Sequence, residues 1–145
     1  MMTGVDIIRC YTDGASRGNP GPSSYAVILV RNNTVIAEHS GYLGEGTNNS
    51  AEYQALIHAL TLAATYTTGP VTCYSDSELV VRQLRGSYAI RKPHLKLFAE
   101  QINALCDRFS RVEFHTVPRE HPCIQRADHL CNRILDEMAA GYTRG

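Results

Sequence analysis

Four carboxylates stand where short β-type runs and helical patterns meet turns: Asp13, Glu52, Asp76 and Asp128. Each alone has a plain explanation. Asp13 before Gly14 can open a turn, and residues 49–52 (Asn-Ser-Ala-Glu) resemble a capping box with Glu52 at the third helical position. Asp76 before Ser77 can cap a helix, and Asp128 can complement a helix dipole. Together they point elsewhere. Acids converging on one edge repel one another strongly unless cations neutralise them. Hard oxygen donors without a His or Cys cluster beside them favour magnesium or manganese over zinc. Two such ions ~4 Å apart are a device for in-line attack of water on a phosphodiester, one serving the nucleophile and the other the leaving oxygen. The chemistry expected of these residues is metal-assisted phosphodiester hydrolysis.

The elements that must position them can be read from periodicity and turn chemistry. Residues 6–13 (DIIRCYTD) form a β-type run closed by Gly14, and residues 14–22 are dense in turn formers. Within them, Pro20-Gly21 suits the centre of a type II turn. Residues 24–30 read as a second strand, Asn32-Asn33 as a hairpin turn and residues 34–42 as a third strand. The period then changes. Leu56, Ala59, Leu60 and Ala63 recur at helical spacing inside a helix expected over residues 49–66. A strand over 71–75, helices over 77–84 and 94–108, a strand over 111–117 and a helix over 126–140 complete the chain.

The order β-β-β-α-β-α-α-β-α joins the first three strands by hairpins and the rest by helical crossovers. That predicts an α/β domain over residues 1–145 with a mixed sheet covered by helices. Ligands of such sheets bind at the carboxyl ends of parallel strands, where Asp13 and Asp76 are placed. Glu52 and Asp128 are expected in the first turns of their helices.

Composition excludes several other classes. Fourteen basic residues balance fourteen acidic ones, so the chain is no generic polycation, although a local basic patch remains compatible with this balance. No apolar run approaches the ~20 residues of a membrane span. The first residues lack the basic start and long apolar stretch of a signal peptide, so a cytoplasmic location is expected. The five cysteines are odd in number and contain no CxxC, which indicates small buried thiols rather than a disulfide framework or zinc ribbon. The glycine-rich segment after Asp13 does not end in Gly-Lys-Ser/Thr, which excludes a P-loop. A phosphatase with Asp13 as nucleophile would need a second Asp where Ala15 stands.

Four blocks carry a resemblance: Tyr11-Thr-Asp13-Gly-Ala-Ser-Arg-Gly-Asn-Pro-Gly21, Thr47-Asn-Asn-Ser-Ala-Glu52-Tyr53, Ser75-Asp76-Ser-Glu-Leu-Val-Val-Arg-Gln83, and Val117-Pro-Arg-Glu-His121 followed by Ala127-Asp128. In this order and spacing they resemble type 1 ribonuclease H over nearly the whole chain. The resemblance implies a ribonuclease H-like fold, a five-stranded mixed sheet in order 3-2-1-4-5. It implies an endonuclease that cleaves the RNA strand of RNA–DNA hybrids with two Mg2+ ions, Mn2+ substituting, and leaves 5′-phosphate and 3′-hydroxyl ends. It carries the catalytic and metal-ligating roles onto Asp13, Glu52, Asp76 and Asp128. Double-stranded RNA is a further substrate that some compact relatives cut. A monomer is expected.

Substrate contacts follow the same correspondence. Telling RNA from DNA needs donors and acceptors at the 2′-hydroxyls, and the small residues Gly14, Ala15 and Ser16 can bring backbone groups there. Asn19, Asn48 and Asn49 match family positions that contact the hybrid; a turn residue and helix caps are the plainer alternatives. Residues 79–99 hold Arg82, Arg85, Arg91, Lys92 and Lys96 and no acid, a run suited to phosphates, with Arg82 and Lys92 as candidate contacts. The loop from Gly86 to Pro93 is too short for the basic handle helix of many relatives, so the chain resembles the compact branch. In the loop before Asp128, Arg119 and His121 are equal candidates to assist proton transfer or product release. Integrases and transposases share the fold but carry extra domains. A non-catalytic hybrid-binding module would be expected to have lost one of the four acids.

Overall fold

A computed structural model describes residues 6–144, with side chains described as far as residue 141. Strands β1 (Ile8–Ser16), β2 (Gly21–Arg31) and β3 (Thr34–Gly46) form an antiparallel meander. Helix α1 (Asn48–Ala63) crosses to β4 (Pro70–Ser75), and α2 (Glu78–Leu84) and α3 (Pro93–Cys106) lead to β5 (Arg111–Thr116). Helix α4 (Pro122–Arg144) closes the chain. The five-stranded sheet has the order β3-β2-β1-β4-β5, with β4 parallel to both of its neighbours. Asn32 and Asn33 both have positive φ, 51° and 61°, the primed turn that matches strand twist in a two-residue hairpin.

Strand β2 has almost no polar face, because both sides of the sheet are covered there. Tyr25, Val27 and Leu29 join one core with Ile8 and Cys10 of β1, beneath α1 and α3. Ala26, Ile28 and Val30 join a second core with Tyr11 and with Ile124, Ala127, Leu130 and Cys131 of α4. Alternation along β1 therefore sends Ile8 and Cys10 toward α1 and Tyr11 toward α4. Helix α1 meets the sheet through Ala51, Ala55, Ala59 and Ala63, all fully buried, whose small side chains allow close approach. All five cysteines are free, and Cys10, Cys73 and Cys131 are buried. Among the described residues no helix is long and apolar enough to cross a membrane.

Four local expectations need correction. Strand β1 does not stop at Gly14 but continues to Ser16, because Gly14, Ala15 and Ser16 pair with Tyr25, Ser24 and Ser23. Pro20-Gly21 is not a type II turn: the Asn19–Pro20 peptide is cis, Gly21 already belongs to β2, and Gly18 takes the positive φ. The capping box is Thr47 with Ser50. The Thr47 Oγ1 accepts the Ser50 N–H at 3.1 Å, and the Ser50 Oγ accepts the Thr47 N–H at 2.9 Å. Glu52 is thus beyond the capping turn and free for other contacts. Helix α4 starts at Pro122, so Asp128 lies in its second turn, beyond the reach of a first-turn capping or dipole role.

Removing the Thr47 hydroxyl leaves the Ser50 N–H without its acceptor. Thr47→Ala is expected to cost about 1 kcal/mol. For a chain of this size that lowers the melting temperature by roughly 3–4 °C, to be read by circular dichroism.

Candidate active site

Three elements bring acids to one place. Asp13 sits on β1, Asp76 follows directly after β4, and Glu52 reaches across from α1. One carboxylate oxygen from each of Asp13, Glu52 and Asp76 lies within 4.8 Å of the other two. Asp128 of α4 lies near enough for its charge to act on the Asp13 carboxyl. All four line one cleft of about 450 Å³, together with Gly14, Ala15, Asn48, Asn49, Ser77, Arg119 and Ile124.

The cluster is held by contacts too long-range to be read along the chain. The Gly14 N–H donates to Glu52 Oε1 at 2.8 Å, which fixes one oxygen of that carboxylate against β1. Beneath Asp13, the buried Cys131 thiol donates to the Asp13 carbonyl at 3.4 Å, and the Ser24 hydroxyl donates to the Cys131 carbonyl at 2.9 Å. The sequence signal for these supports is weak: a small residue after Asp13 and a small residue three positions past Asp128.

Electrostatically the site is short of positive charge. Burial, with Asp76 and Asp128 nearby, raises the Asp13 carboxyl to about 7. Burial and the negative charges of Asp13 and Asp76 push Glu52 well above the ordinary carboxylate range, against the opposing Gly14 N–H. The one side-chain cation paired with the cluster among the described residues is Arg119, whose Nε lies 3.3 Å from Asp76 Oδ2 and whose side chain is largely exposed. Converging, mutually destabilised hard oxygens with little organic counter-charge fit a hard divalent cation.

A pH dependence follows. The folded-state pKa of Asp13 exceeds its ordinary value, so the folded protein binds more protons than the unfolded chain between about pH 4 and 7. Unfolding free energy therefore falls as pH rises through that window, and Glu52 acts in the same direction. Asp13 alone contributes up to about 4 kcal/mol of loss. Urea titrations in EDTA at pH 5 and pH 8 should show the lower stability at pH 8, and millimolar divalent cation should restore it, since the cation binds only the folded cluster.

The other expected site residues are divided. Asn48 and Asn49 line the cleft. Asn48 Oδ1 accepts the Ser16 N–H at 2.9 Å, and Asn19 Oδ1 accepts the Asn48 N–H at 2.9 Å. Both side-chain oxygens thus lock the β1–β2 turn to α1. The N–H groups of Gly14 and Ser16 are likewise committed inside the protein, to Glu52 and Asn48, while Gly14 and Ala15 line the cleft. Of the two loop candidates, Arg119 lines the cleft and His121 does not. The His121 ring stacks on Tyr11 at 4.6 Å, and its Nδ1 accepts the Cys123 N–H at 3.1 Å, where α4 begins. Arg82 and Lys92 lie outside the cleft. Arg82 is not uncompensated: Glu78, one residue before the acid-free run, holds it at 2.7 Å.

Comparisons with known proteins agree with this fold. A family model described as reverse transcriptase-like matches residues 11–134. Ribonuclease HI of Halobacterium salinarum is 38% identical over 131 residues, covering 90% of this chain and 65% of that protein. The crystal structure of the RNase H1 of that archaeon superposes with a TM-score of 0.85. LC11-RNase H1, isolated from compost and solved in complex with an RNA/DNA hybrid, is 38% identical with a TM-score of 0.86, covering 91% of this chain and 99% of that one. A bifunctional protein of Mycobacterium tuberculosis is 37% identical over 88% of this chain, which spans 35% of its length.

Proposed function

The chain belongs to the reverse transcriptase-like, ribonuclease H family, and from that premise we propose that it is an endonuclease hydrolysing the RNA strand of RNA–DNA hybrids. The observation that carries the proposal is the approach of Asp13, Glu52 and Asp76 to within 4.8 Å of one another in an open cleft, with Asp128 beside them. Two divalent cations, Mg2+ with Mn2+ as substitute, would be held by these four carboxylates and would supply activation of water and stabilisation of the leaving oxygen. The products are then 5′-phosphate and 3′-hydroxyl ends, and the working species is a monomer.

The chain's own residues orient these donors. Gly14 restrains one Glu52 oxygen and so fixes the carboxylate beside Asp13 and Asp76. Asn19 and Asn48 hold the β1–β2 turn to the start of α1, so that the side chains of Asn48 and Asn49 border a strand laid along the cleft. Arg119, largely exposed beside Asp76, is the cleft's positive charge and the residue we assign to leaving-group or product handling.

One gel tests the proposal: labelled RNA–DNA hybrid, double-stranded RNA and double-stranded DNA, each with Mg2+, Mn2+ or EDTA. Metal-dependent cutting of the hybrid's RNA strand is the expected result, and additional cutting of double-stranded RNA would widen the substrate range. Hybrid shifted on a native gel but uncut with every metal would instead identify a binding module.

A further inference from the structure

Tyr53 follows Glu52 on α1, and its ring is fully buried in the core under α1 and α3. A buried phenol requires a partner, and the Tyr53 hydroxyl finds it by donating to Gln83 Oε1 on α2. The other end of the same amide is also in use: Gln83 Nε2 donates to the Ala89 carbonyl at 3.2 Å. One side chain thus joins the helix bearing Glu52 to the loop beyond α2.

That loop is folded back on its helix. Gly86, at φ 81°, reverses the chain. The Gly86 N–H donates to the Gln83 carbonyl at 3.1 Å and the Ser87 N–H to the Arg82 carbonyl at 2.9 Å, a Schellman closure. The Arg82 guanidinium lies 5.4 Å from the Tyr88 ring centroid. Past this closure two side chains tie the segment just before Arg91 and Lys92: Gln83, through its bond to the Ala89 carbonyl, and Ile90, which packs against the core. Arg85, Arg91 and Lys92 are all exposed on this segment.

We propose that the Tyr53–Gln83–Ala89 bridge is a positioning device, which holds the basic loop in one place relative to the Glu52 helix so that its cations meet the phosphates of bound hybrid. The proposal rests on the hybrid-cleaving function above and adds to it the residues that set the grip. A loop already held in place avoids the ordering cost that a free loop meets on binding. Loss of the bridge should therefore weaken binding and leave the chemical step intact.

The test separates positioning from folding by using both partners. Gln83→Leu removes both bonds and leaves the Tyr53 hydroxyl buried without a partner. Tyr53→Phe with Gln83→Leu removes that orphan, so the double variant should regain most of the lost melting temperature. Its Ala89 carbonyl still lacks its donor. The expected result for both is hybrid Kd in EDTA and KM raised about 3–10-fold with kcat within twofold, and faster hydrogen exchange over residues 86–92. Binding and exchange like the wild type in the double variant would overturn the proposal and leave the bridge a purely structural contact. A wild type that neither binds nor cuts hybrid would overturn the functional proposal itself, a result distinguishable because no variant is needed to obtain it.

Discussion

Asp13→Asn is expected to lower hybrid cleavage by about 10³-fold or more at saturating Mg2+, while raising the melting temperature of the metal-free protein at pH 8. The two effects share one cause. Asp13 is the most central member of the cluster, buried, facing Asp76 and Asp128, and adjacent to Glu52. Its charge is what a divalent cation would need and what burial beside other acids disfavours. A lost metal-ligating charge removes several kcal/mol of transition-state stabilisation, and each 1.36 kcal/mol is a factor of ten in rate, so about 10³ is a lower figure. The isosteric amide keeps the volume and removes a charge that burial and neighbouring acids disfavour, the causes that raise Asp13 to about 7. It also takes one of the negative charges away from Glu52, which burial and its neighbours hold well above its ordinary range. A gain of roughly 3–10 °C in EDTA at pH 8 should follow, shrinking toward pH 5, where the wild-type carboxyl is already protonated. Near-normal turnover in this variant would refute the assignment of Asp13. A melting temperature unchanged at both pH values would refute the electrostatic account.

Gly14→Ala is expected to be the more damaging change for the fold. A Cβ on Gly14 would stand 2.3 Å from the Ala51 carbonyl carbon and 2.4 Å from the Glu52 nitrogen. These are backbone atoms of α1, so no side chain can swing aside. The helix must move outward by about an ångström from a face of fully buried alanines. Overpacking of this kind costs about 1–3 kcal/mol or more, a fall of roughly 5–10 °C in melting temperature. The same shift breaks the Gly14–Glu52 hydrogen bond and moves Glu52 away from Asp13. Cleavage should drop by about 10²-fold even where the protein remains folded, since misplacement by an ångström is enough for that. Gly141→Ala serves as the control. Nothing lies within 4 Å of its Cβ, and helix propensity alone predicts a small gain in stability.

The difference between these two residues marks how far the chain could be read by itself. Element types and the mixed α/β sheet were legible because they depend on local periodicity and turn chemistry: the β-run before Asp13, the Asn32-Asn33 hairpin, and the helical spacing of Leu56, Ala59, Leu60 and Ala63. The strand order came only with the family resemblance. The acids stood out for the same reason, as residue types at strand ends where an α/β sheet presents its ligands. Tertiary structure decided how they meet. It set the Thr47–Ser50 cap that frees Glu52, the early start of α4 that carries Asp128 into the second turn, and the contact of Gly14 with the α1 backbone. It also sorted Arg119 into the cleft and His121 onto Tyr11, and tied Arg82 to Glu78. These contacts depend on the phase of each helix and its distance from the sheet. Those quantities come from packing between segments such as Gly14 and Glu52, or Asp13 and Cys131, that are distant along the chain and adjacent only once the cores have closed.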